Sequence, residues 1–157
     1  MAGKISIGSD HGGFELKKII VKELEKSGNK VFDVGTHTSE ACDYPKTGFE
    51  CALRVAQKKS DKGIVICRTG IGMAVIANKL PGVRAGVCAR PSEAASAREH
   101  NDINVLVFAA DRISKSDALK TLKIWLKTPA LKGRHARRVR LIKEYEKKVF
   151  KKVYICK

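Results

Sequence analysis

Five short apolar runs of four to six residues recur along the chain and are separated by longer segments of mixed polarity. The runs are rich in Val and Ile, and each has Gly, Asp or Pro close by. Compact runs of this kind are typical of strands that are buried on both faces of a sheet. The predicted strands are 5–8, 30–34, 63–67, 83–88 and 104–109.

The segments between these runs have apolar residues at helical spacing. In residues 14–27, Leu16, Ile19 and Ile20 recur at intervals of three and four, while lysines and glutamates fill the other face. Gly28 then supplies a C-terminal cap. Further helices are predicted at 46–59, 71–79, 92–100, 115–127 and 136–151.

Regular alternation of strands and helices predicts an α/β fold, in which a parallel sheet lies between helices. The expected architecture is a three-layer sandwich with a five-stranded, Rossmann-like sheet, and the pattern leaves the order of the strands open. The 157 residues contain no internal repeat, low-complexity tract or Pro/Ser-rich linker. That length is typical of one domain.

The positive charge is concentrated in the last third of the chain. Residues 1–111 carry 16 Lys/Arg and 13 Asp/Glu, whereas residues 112–157 carry 16 Lys/Arg and 3 Asp/Glu. A basic segment attracts nucleic acid, phosphorylated metabolites or acidic membrane surfaces. A solvated lysine-rich helix has the same composition, so charge alone does not choose among these alternatives.

Composition also bears on the class of protein and its compartment. The hydrophobic share of 43% is too high for a disordered chain. No apolar run approaches the roughly 18–20 residues that span a bilayer, and the N-terminus has no signal-peptide core. The five cysteines are odd in number and form no CxxC pair, which disfavours a disulfide framework or a zinc site and favours the cytoplasm.

Polar residues follow several predicted strands, at the edge where open parallel sheets bind their ligands. Residues 10–11 follow the first strand, 67–72 the third and 111–112 the fifth, while the helix after the fourth strand ends at 100–102. We expect these groups to converge on one edge of the sheet.

The loop formed by Thr69, Gly70, Ile71 and Gly72 follows a strand and opens a helix. Small residues and unpaired amides there suit an anion, although a plain tight turn has the same pattern. A dinucleotide fingerprint requires a small residue where Val75 stands, and no GxxxxGK[ST] phosphate loop occurs. The loop therefore indicates anion binding only in combination with other groups.

Three side chains near this loop could act as acids, bases or nucleophiles. Cys67 lies at a strand end beside a helix start, which favours a thiolate that acts as nucleophile or base; a buried structural cysteine is the alternative. His11 and His100 could both reach the same edge, but no HxH or HxxxH pair is present for a metal.

Arg134 and Arg138 are four residues apart and share one helical face, a geometry that either clamps a phosphate or forms a solvated basic surface. The same helix carries an apolar stripe, which requires a partner surface. Another subunit or the body of the protein would provide it. The stripe consists of Val139, Ile142, Tyr145, Val149 and Val153.

Several motifs together resemble the B-type ribose-5-phosphate isomerase family, which includes the galactose-6-phosphate isomerase subunits. The matching segments follow the family's order and spacing over residues 4–142. They are Gly8-Ser9-Asp10-His11-Gly12-Gly13-Phe14, Asp43-Tyr44-Pro45, Ile66-Cys67-Arg68-Thr69-Gly70-Ile71-Gly72-Met73, Ala77-Asn78-Lys79, Gly82-Val83-Arg84-Ala85, His100-Asn101-Asp102-Ile103-Asn104-Val105 and Gly133-Arg134-His135.

This resemblance implies a five-stranded parallel sheet and a homodimer, or a dimer of such dimers, whose sites combine residues of both subunits. It implies interconversion of ribose 5-phosphate and ribulose 5-phosphate through an enediolate, without metal or organic cofactor. The same chemistry on galactose or allose 6-phosphate is the nearest alternative. A nucleic-acid-binding protein that uses the basic C-terminal helix is a second alternative, from another class.

The resemblance also assigns roles to residues by position. Cys67 takes the C2 proton, and the amides of Gly70, Ile71 and Gly72, with Thr69, stabilise the enediolate. His100 opens the sugar ring with the help of Asp10. The substrate is bound by His11, Arg134 and Arg138 at the phosphate, by Tyr44 and Asn101 at the sugar, and by Arg112 and Arg68 as further candidates.

Three departures from the family pattern stand out. Arg68 replaces a residue that is usually glycine, and it either adds anion binding or narrows the site. The exit of the fifth strand is one residue longer, which bears on Arg112. The basic segment 144–157 extends beyond the usual end of the family. Residues 1–142 are expected to form the isomerase domain, and the basic helical extension 143–157 is expected to stabilise the dimer while being dispensable for turnover.

Overall fold

The computed structural model describes residues 3–150 and consists of alternating strands and helices. The five strands are β1 (Lys4–Ser9), β2 (Lys30–Asp33), β3 (Lys62–Cys67), β4 (Ala85–Val87) and β5 (Val105–Ala109). The six helices are α1 (Phe14–Lys26), α2 (Tyr44–Ala56), α3 (Ile71–Ala77), α4 (Pro91–Asn101), α5 (Lys115–Lys127) and α6 (Arg134–Phe150). Short 3-10 turns follow β1 at His11–Gly13 and β5 at Ala110–Arg112.

All five strands are parallel and lie in the order β2-β1-β3-β5-β4, which the sequence pattern had left open. Helices α1 and α5 cover one face of the sheet, and α2 and α3 cover the other. The predicted three-layer α/β architecture is therefore confirmed.

The three central strands carry the core, but the two outer strands do not. From their second residues onward β1 and β3 are buried, and β5 is buried throughout, whereas β2 and β4 are only partly covered. The expectation that every strand is buried on both faces is wrong for β2 and β4. Both are edge strands, so each has a neighbour on one side only.

Two apolar clusters hold the layers together, one on each face of the sheet. On the first face, Leu24 of α1 and Leu122 and Trp125 of α5 pack in a cluster with the central strands. On the second face, Cys51 of α2 and Met73 of α3 join the other cluster. Because both clusters consist of buried side chains, the central strands are packed on both faces.

Local signals fix the helix boundaries. Gly28 adopts φ +78 and ends α1 as predicted. The side chain of Ser114 accepts a hydrogen bond from the amide of Asp117 and caps α5. Helix α2 begins two residues earlier than predicted because Pro45 is accommodated in its first turn, where no amide donor is required.

Helix α6 lies against the end of α4 and extends past the end of α3. Val139 is buried, and the carboxylate of Glu146 accepts a hydrogen bond from the amide of Gly82 at 3.0 Å. The stripe is exposed farther along, at Ile142, Tyr145 and Val149. Val153 and the rest of 151–157 lie outside the described residues. Between residues 3 and 150 no helix is long and apolar enough to cross a membrane.

Candidate active site

The carboxyl ends of β1, β3 and β5 form the floor of the candidate site. The register places Ser9 beside Ile66 and Cys67 beside Ala109, so these three strands end at the same edge. The connection from β1 leads to β2 on one side, whereas the connection from β3 leads to β4 on the other. Divergent connections of this kind open a crevice at the strand ends, where α/β proteins bind ligands.

Cys67 ends β3 with its sulfur directed at the following turn. Its side chain is 5% exposed, and Sγ accepts a hydrogen bond from the amide of Gly70 at 3.2 Å. Gly70 has φ +75 and immediately precedes α3, which folds its N–H back toward the sulfur. A main-chain donor at a helix start stabilises a thiolate more than a neutral thiol. These surroundings suit an acid–base group.

Two other cysteines have different surroundings. Desolvation by burial raises the pKa of Cys51 to about 11, and it raises the pKa of Cys88 to about 11 as well. Cys51 is on the buried face of α2, and Cys88 follows β4 without a glycine loop. Both are therefore held as neutral thiols with a packing role.

Asp10 follows β1 and is fixed beside β3. Its carboxylate accepts a hydrogen bond from the amide of Gly13 at 3.0 Å, and its own amide donates to the carbonyl of Ile66 at 3.2 Å. A Cβ atom on Gly13 would lie 2.6 Å from that same carbonyl oxygen, so only glycine allows this approach. Asp10 is 8% exposed, and its hydrogen bond with the amide of Gly13 defines the orientation of its carboxylate at the end of β1.

His11 and Tyr44 border the same crevice. Nδ1 of His11 accepts a hydrogen bond from the amide of Cys42 at 3.3 Å, which leaves Nε2 as the N–H donor of the neutral ring. Tyr44 begins α2, and its ring lies over Gly72, where an added Cβ atom would be 2.6 Å from Cζ. A donor imidazole thus follows β1, and a phenol lies against the glycine loop.

Arg68 connects the loops around the crevice. Its side chain passes over Gly12, where a Cβ atom would lie 2.5 Å from Cγ of Arg68. Its guanidinium is 3.6 Å from the carboxylate of Asp111, and the amide of Asp111 donates to the carbonyl of Arg68 at 3.1 Å. The guanidinium remains largely exposed and borders the site.

Thr69 and Arg112 are exposed at this edge as well. The hydroxyl of Thr69 accepts a hydrogen bond from the amide of Ile71 at 3.4 Å, which orders the first turn of α3. Arg112 ends the 3-10 turn after β5. The structure thus brings together most of the predicted residues at one edge: Asp10, His11, Tyr44, Cys67, Arg68, Thr69, Gly70, Ile71, Gly72 and Arg112.

The remaining predicted residues lie elsewhere in the chain. His100 and Asn101 end α4, which starts at the carboxyl edge of the sheet and runs back to the opposite edge over 11 residues, or about 16 Å. Arg134 and Arg138 begin α6 beside them. The expectation that all groups converge on one edge is therefore wrong within a single chain. A helix that connects parallel strands must return the chain to their starting edge.

This opposite edge contains a second ordered cluster. The imidazoles of His100 and His135 are stacked with centroids 4.3 Å apart and planes 11° apart. Asp102 follows with φ +48, and its carboxylate binds Arg84 at 2.9 Å and Arg98 at 2.6 Å. These ion pairs fix the end of α4 and with it His100. Sequence reasoning assigned no role to His135 or Asp102, since only the folded chain brings them together.

Among the described residues, no group of three or more His, Cys, Asp or Glu side chains has the geometry to hold a metal ion. The side chains at the Cys67 edge supply a thiol, a phenol, a hydroxyl, an imidazole, two carboxylates and two guanidiniums, beside the main-chain amides of the glycine loop.

Known proteins are similar to this chain over most of its length. The family model described as Ribose/Galactose Isomerase matches residues 5–142. Ribose-5-phosphate isomerase B of Escherichia coli (strain K12) is 43% identical over 145 residues, which are 92% of this chain and 97% of the relative.

Solved structures are similar as well. A structure of Clostridium thermocellum ribose-5-phosphate isomerase B is 48% identical, with a TM-score of 0.90, over 92% of this chain and 98% of that one. The Mycoplasma genitalium ribose-5-phosphate isomerase B with bound ribulose-5-phosphate is 39% identical, with a TM-score of 0.89, over 92% of this chain and 96% of that one.

Proposed function

The chain belongs to the ribose/galactose isomerase family, and we propose that it interconverts D-ribose 5-phosphate and D-ribulose 5-phosphate through an enediolate. The observation that carries this proposal is the position of the Cys67 sulfur, 3.2 Å from the amide nitrogen of Gly70 at the carboxyl edge of the sheet. The relatives named ribose-5-phosphate isomerase B support this choice of substrate.

In the proposed reaction Cys67 acts as the base. The thiolate takes the proton from C2 of the open-chain aldose, and the electrons of that C–H bond form a double bond between C1 and C2. The carbonyl oxygen on C1 becomes the oxyanion. Transfer of the C2 hydroxyl proton to the C1 oxygen, and return of the proton from the Cys67 thiol to C1, give the ketose and regenerate the thiolate, so the atoms balance without an oxidant or reductant.

The glycine loop stabilises the oxyanion. The amides of Gly70, Ile71 and Gly72 lie at the start of α3, where the first amides of a helix lack partners within it. Without substrate the amides of Gly70 and Ile71 donate to Sγ of Cys67 and to the hydroxyl of Thr69, and in the proposed reaction they would turn to the oxyanion. Fixed main-chain donors of this type are typically worth about 3–4 kcal/mol each in an acyl-transfer oxyanion hole. Thr69 supports the loop through its hydrogen bond with the amide of Ile71.

Ring opening requires a proton donor, and we assign it to His100, assisted by Asp10. Because His100 lies at the opposite edge of its own chain, the proposal requires a second copy whose His100 and Asn101 reach the Cys67 edge. The same copy would bring Arg134 and Arg138 to the phosphate, beside His11 and Arg112. A homodimer with shared sites follows from this requirement.

Exposed apolar side chains near the site support such an assembly. Ile71 and Val75 lie one turn apart on α3 and are 59% and 54% exposed, and Phe49 of α2 is 41% exposed. Large apolar groups clustered beside a crevice are typical of a protein interface. The stripe of α6 would extend the same contact.

The domain division and the compartment are also part of the proposal. Residues 1–142 would form the catalytic domain and 143–157 a dispensable extension that stabilises the dimer, although α6 itself runs unbroken through this boundary. We place the protein in the cytoplasm because Cys42, Cys51, Cys67 and Cys88 are free thiols and a catalytic thiol requires a reducing medium.

A substrate panel tests the proposed function. Isomerisation rates are measured on ribose, galactose and allose phosphates, with and without EDTA. The proposal expects turnover of ribose 5-phosphate with the highest kcat/KM and no effect of EDTA. A higher kcat/KM for a six-carbon sugar phosphate would show that this sugar phosphate, and not ribose 5-phosphate, is the preferred substrate. If no sugar phosphate is turned over, the proposed function is contradicted.

A further inference from the structure

The stacked imidazoles on α4 and α6 carry an inference that rests on the proposed function. We propose that His135 is a positioning residue for the reaction: its ring fixes the imidazole of His100, and its Nε2 atom orients the guanidinium of Arg134. One buried side chain would thus orient both the proton donor for ring opening and an arginine that binds the phosphate.

Stacking constrains His100. The two rings are 4.3 Å apart and nearly parallel at 11°, and they come from different helices. His135 is 8% exposed, whereas His100 is exposed to solvent. The buried ring therefore acts as a fixed platform, and the exposed ring is held flat on it. An imidazole held in one plane presents its N–H in one direction, which proton donation requires.

Hydrogen bonding determines the tautomer of His135. Nε of Arg134 donates to Nε2 of His135 at 3.4 Å, so Nε2 bears no proton and Nδ1 bears the proton of the neutral ring. Nδ1 is buried and has no hydrogen-bond partner among the described residues. A ring in this position is a neutral acceptor for the arginine.

The charges that surround the ring favour the same neutral form. Burial first, and then the positive charges of His100, Arg134 and Arg138, lower the pKa of His135, while Glu99 opposes them. A cavity of about 300 Å³ beside the ring is also lined by Asp102, Arg140 and Lys143. A neutral His135 adds no charge beside the imidazole of His100, whereas two stacked cations would repel each other.

Two substitutions separate the two effects. His135→Gln keeps a polar acceptor near Arg134 but removes the stacked ring, so kcat should fall about 10-fold or more while KM changes less than about 2-fold. His135→Phe keeps the ring but removes the acceptor. KM and the inhibition constant of inorganic phosphate should then rise about 5-fold, with kcat preserved.

Val139→Ala is the matched control, because Val139 is buried one turn along the same helix and its side chain has neither a ring nor a hydrogen-bonding atom. It should lower the melting temperature without separating kcat from KM. The proposal is overturned if both His135 variants change kcat and KM in the same proportion as Val139→Ala. Should His135→Phe not fold, the ratio of kcat to KM effects in His135→Gln still decides.

Two measurements distinguish a failure of this inference from a failure of the proposed function. If the unsubstituted protein does not turn over ribose 5-phosphate, the proposed function is contradicted. Calorimetric binding of inorganic phosphate to the unsubstituted protein and to His135→Phe then tests the orientation of Arg134 directly. Weaker binding in the variant supports the positioning role, and equal binding overturns it.

Discussion

The Sγ atom of Cys67 and the backbone nitrogen of Gly70 are 3.2 Å apart. This contact joins the end of the central strand β3 to the start of α3, and it exists because Gly70 adopts φ +75. A side chain other than hydrogen at position 70 would disfavour this backbone conformation. The geometry of the proposed base therefore depends on a residue that has no side chain of its own.

Gly70→Ala should disturb both stability and turnover. The left-handed conformation costs an alanine about 1–2 kcal/mol, and the new Cβ atom would lie 3.2 Å from Cγ1 of Val87. We expect a loss of unfolding free energy somewhat above that range, measured by urea denaturation. We also expect kcat to fall about 10-fold or more because the donor to the sulfur moves.

Gly82→Ala provides the matched control. Gly82 has φ +80, and a Cβ atom there would meet nothing within 4 Å. The variant should lose about 1–2 kcal/mol of stability from the backbone alone and keep its kcat. Equal kcat values in the two alanine variants would show that the Gly70 amide has no part in catalysis.

Alkylation at pH 8 should distinguish Cys67 from Cys51 and Cys88. Burial raises the pKa of Cys51 and Cys88 to about 11, so their thiolates become common only near that pH and make up about 0.1% at pH 8. At pH 8 iodoacetamide should modify Cys67 and spare Cys51 and Cys88, and ribose 5-phosphate should protect Cys67. Peptide mass spectrometry measures each site, and labelling of Cys88 as rapid as that of Cys67 would contradict this assignment.

The packing of Arg68 over Gly12 predicts strong coupling between the two positions. Gly12→Ala places a Cβ atom 2.5 Å from Cγ of Arg68, which should cost about 1–2 kcal/mol. In an Arg68→Gly background the same substitution should cost almost nothing. Arg68→Gly alone should cost less than about 1 kcal/mol, because its ion pair with Asp111 is largely exposed.

Urea denaturation of the four proteins in this cycle measures the coupling, which we expect to be about 1 kcal/mol or more. An equal cost of Gly12→Ala in both backgrounds would mean that Arg68 does not confine the turn after β1. Activity assays on the same proteins would show whether the exposed guanidinium adds to phosphate binding or narrows the crevice.

The sequence predicted the fold class, because buried central strands and amphipathic helices leave distinct patterns. It also predicted the groups that follow β1 and β3, since strand ends are read directly from those patterns. It did not distinguish edge strands from central ones. Strands β2 and β4 have apolar runs similar to those of the core strands, and only the sheet order leaves them partly uncovered.

The position of His100 shows a second limit. A sequence motif at the end of a helix is the same whether that helix ends at the carboxyl edge of the sheet or at the opposite edge. The direction of α4 places His100 far from Cys67 in its own chain, and the stacking of His100 on His135 depends on the packing of α6. Such relationships between distant segments arise from tertiary structure and leave no local pattern.

Subunit complementation tests the shared site. Cys67→Ala and His100→Asn proteins should each be inactive, because each lacks one required group. In a mixed dimer one site carries both substitutions and the other carries neither. Random reassembly of equal amounts should therefore restore about a quarter of the unsubstituted activity. A mixture that forms mixed dimers, verified with two affinity tags, and stays inactive would contradict the contribution of His100 from a second chain.

The role of Cys67 as the base is tested most directly by exchange of the C2 hydrogen of ribose 5-phosphate in deuterium oxide, followed by proton NMR. The unsubstituted protein and the Cys88→Ala control should exchange the C2 hydrogen for deuterium. Cys67→Ser should bind inorganic phosphate normally but should not exchange the C2 hydrogen. Exchange by Cys67→Ser at the rate of the unsubstituted protein would show that another group removes the proton.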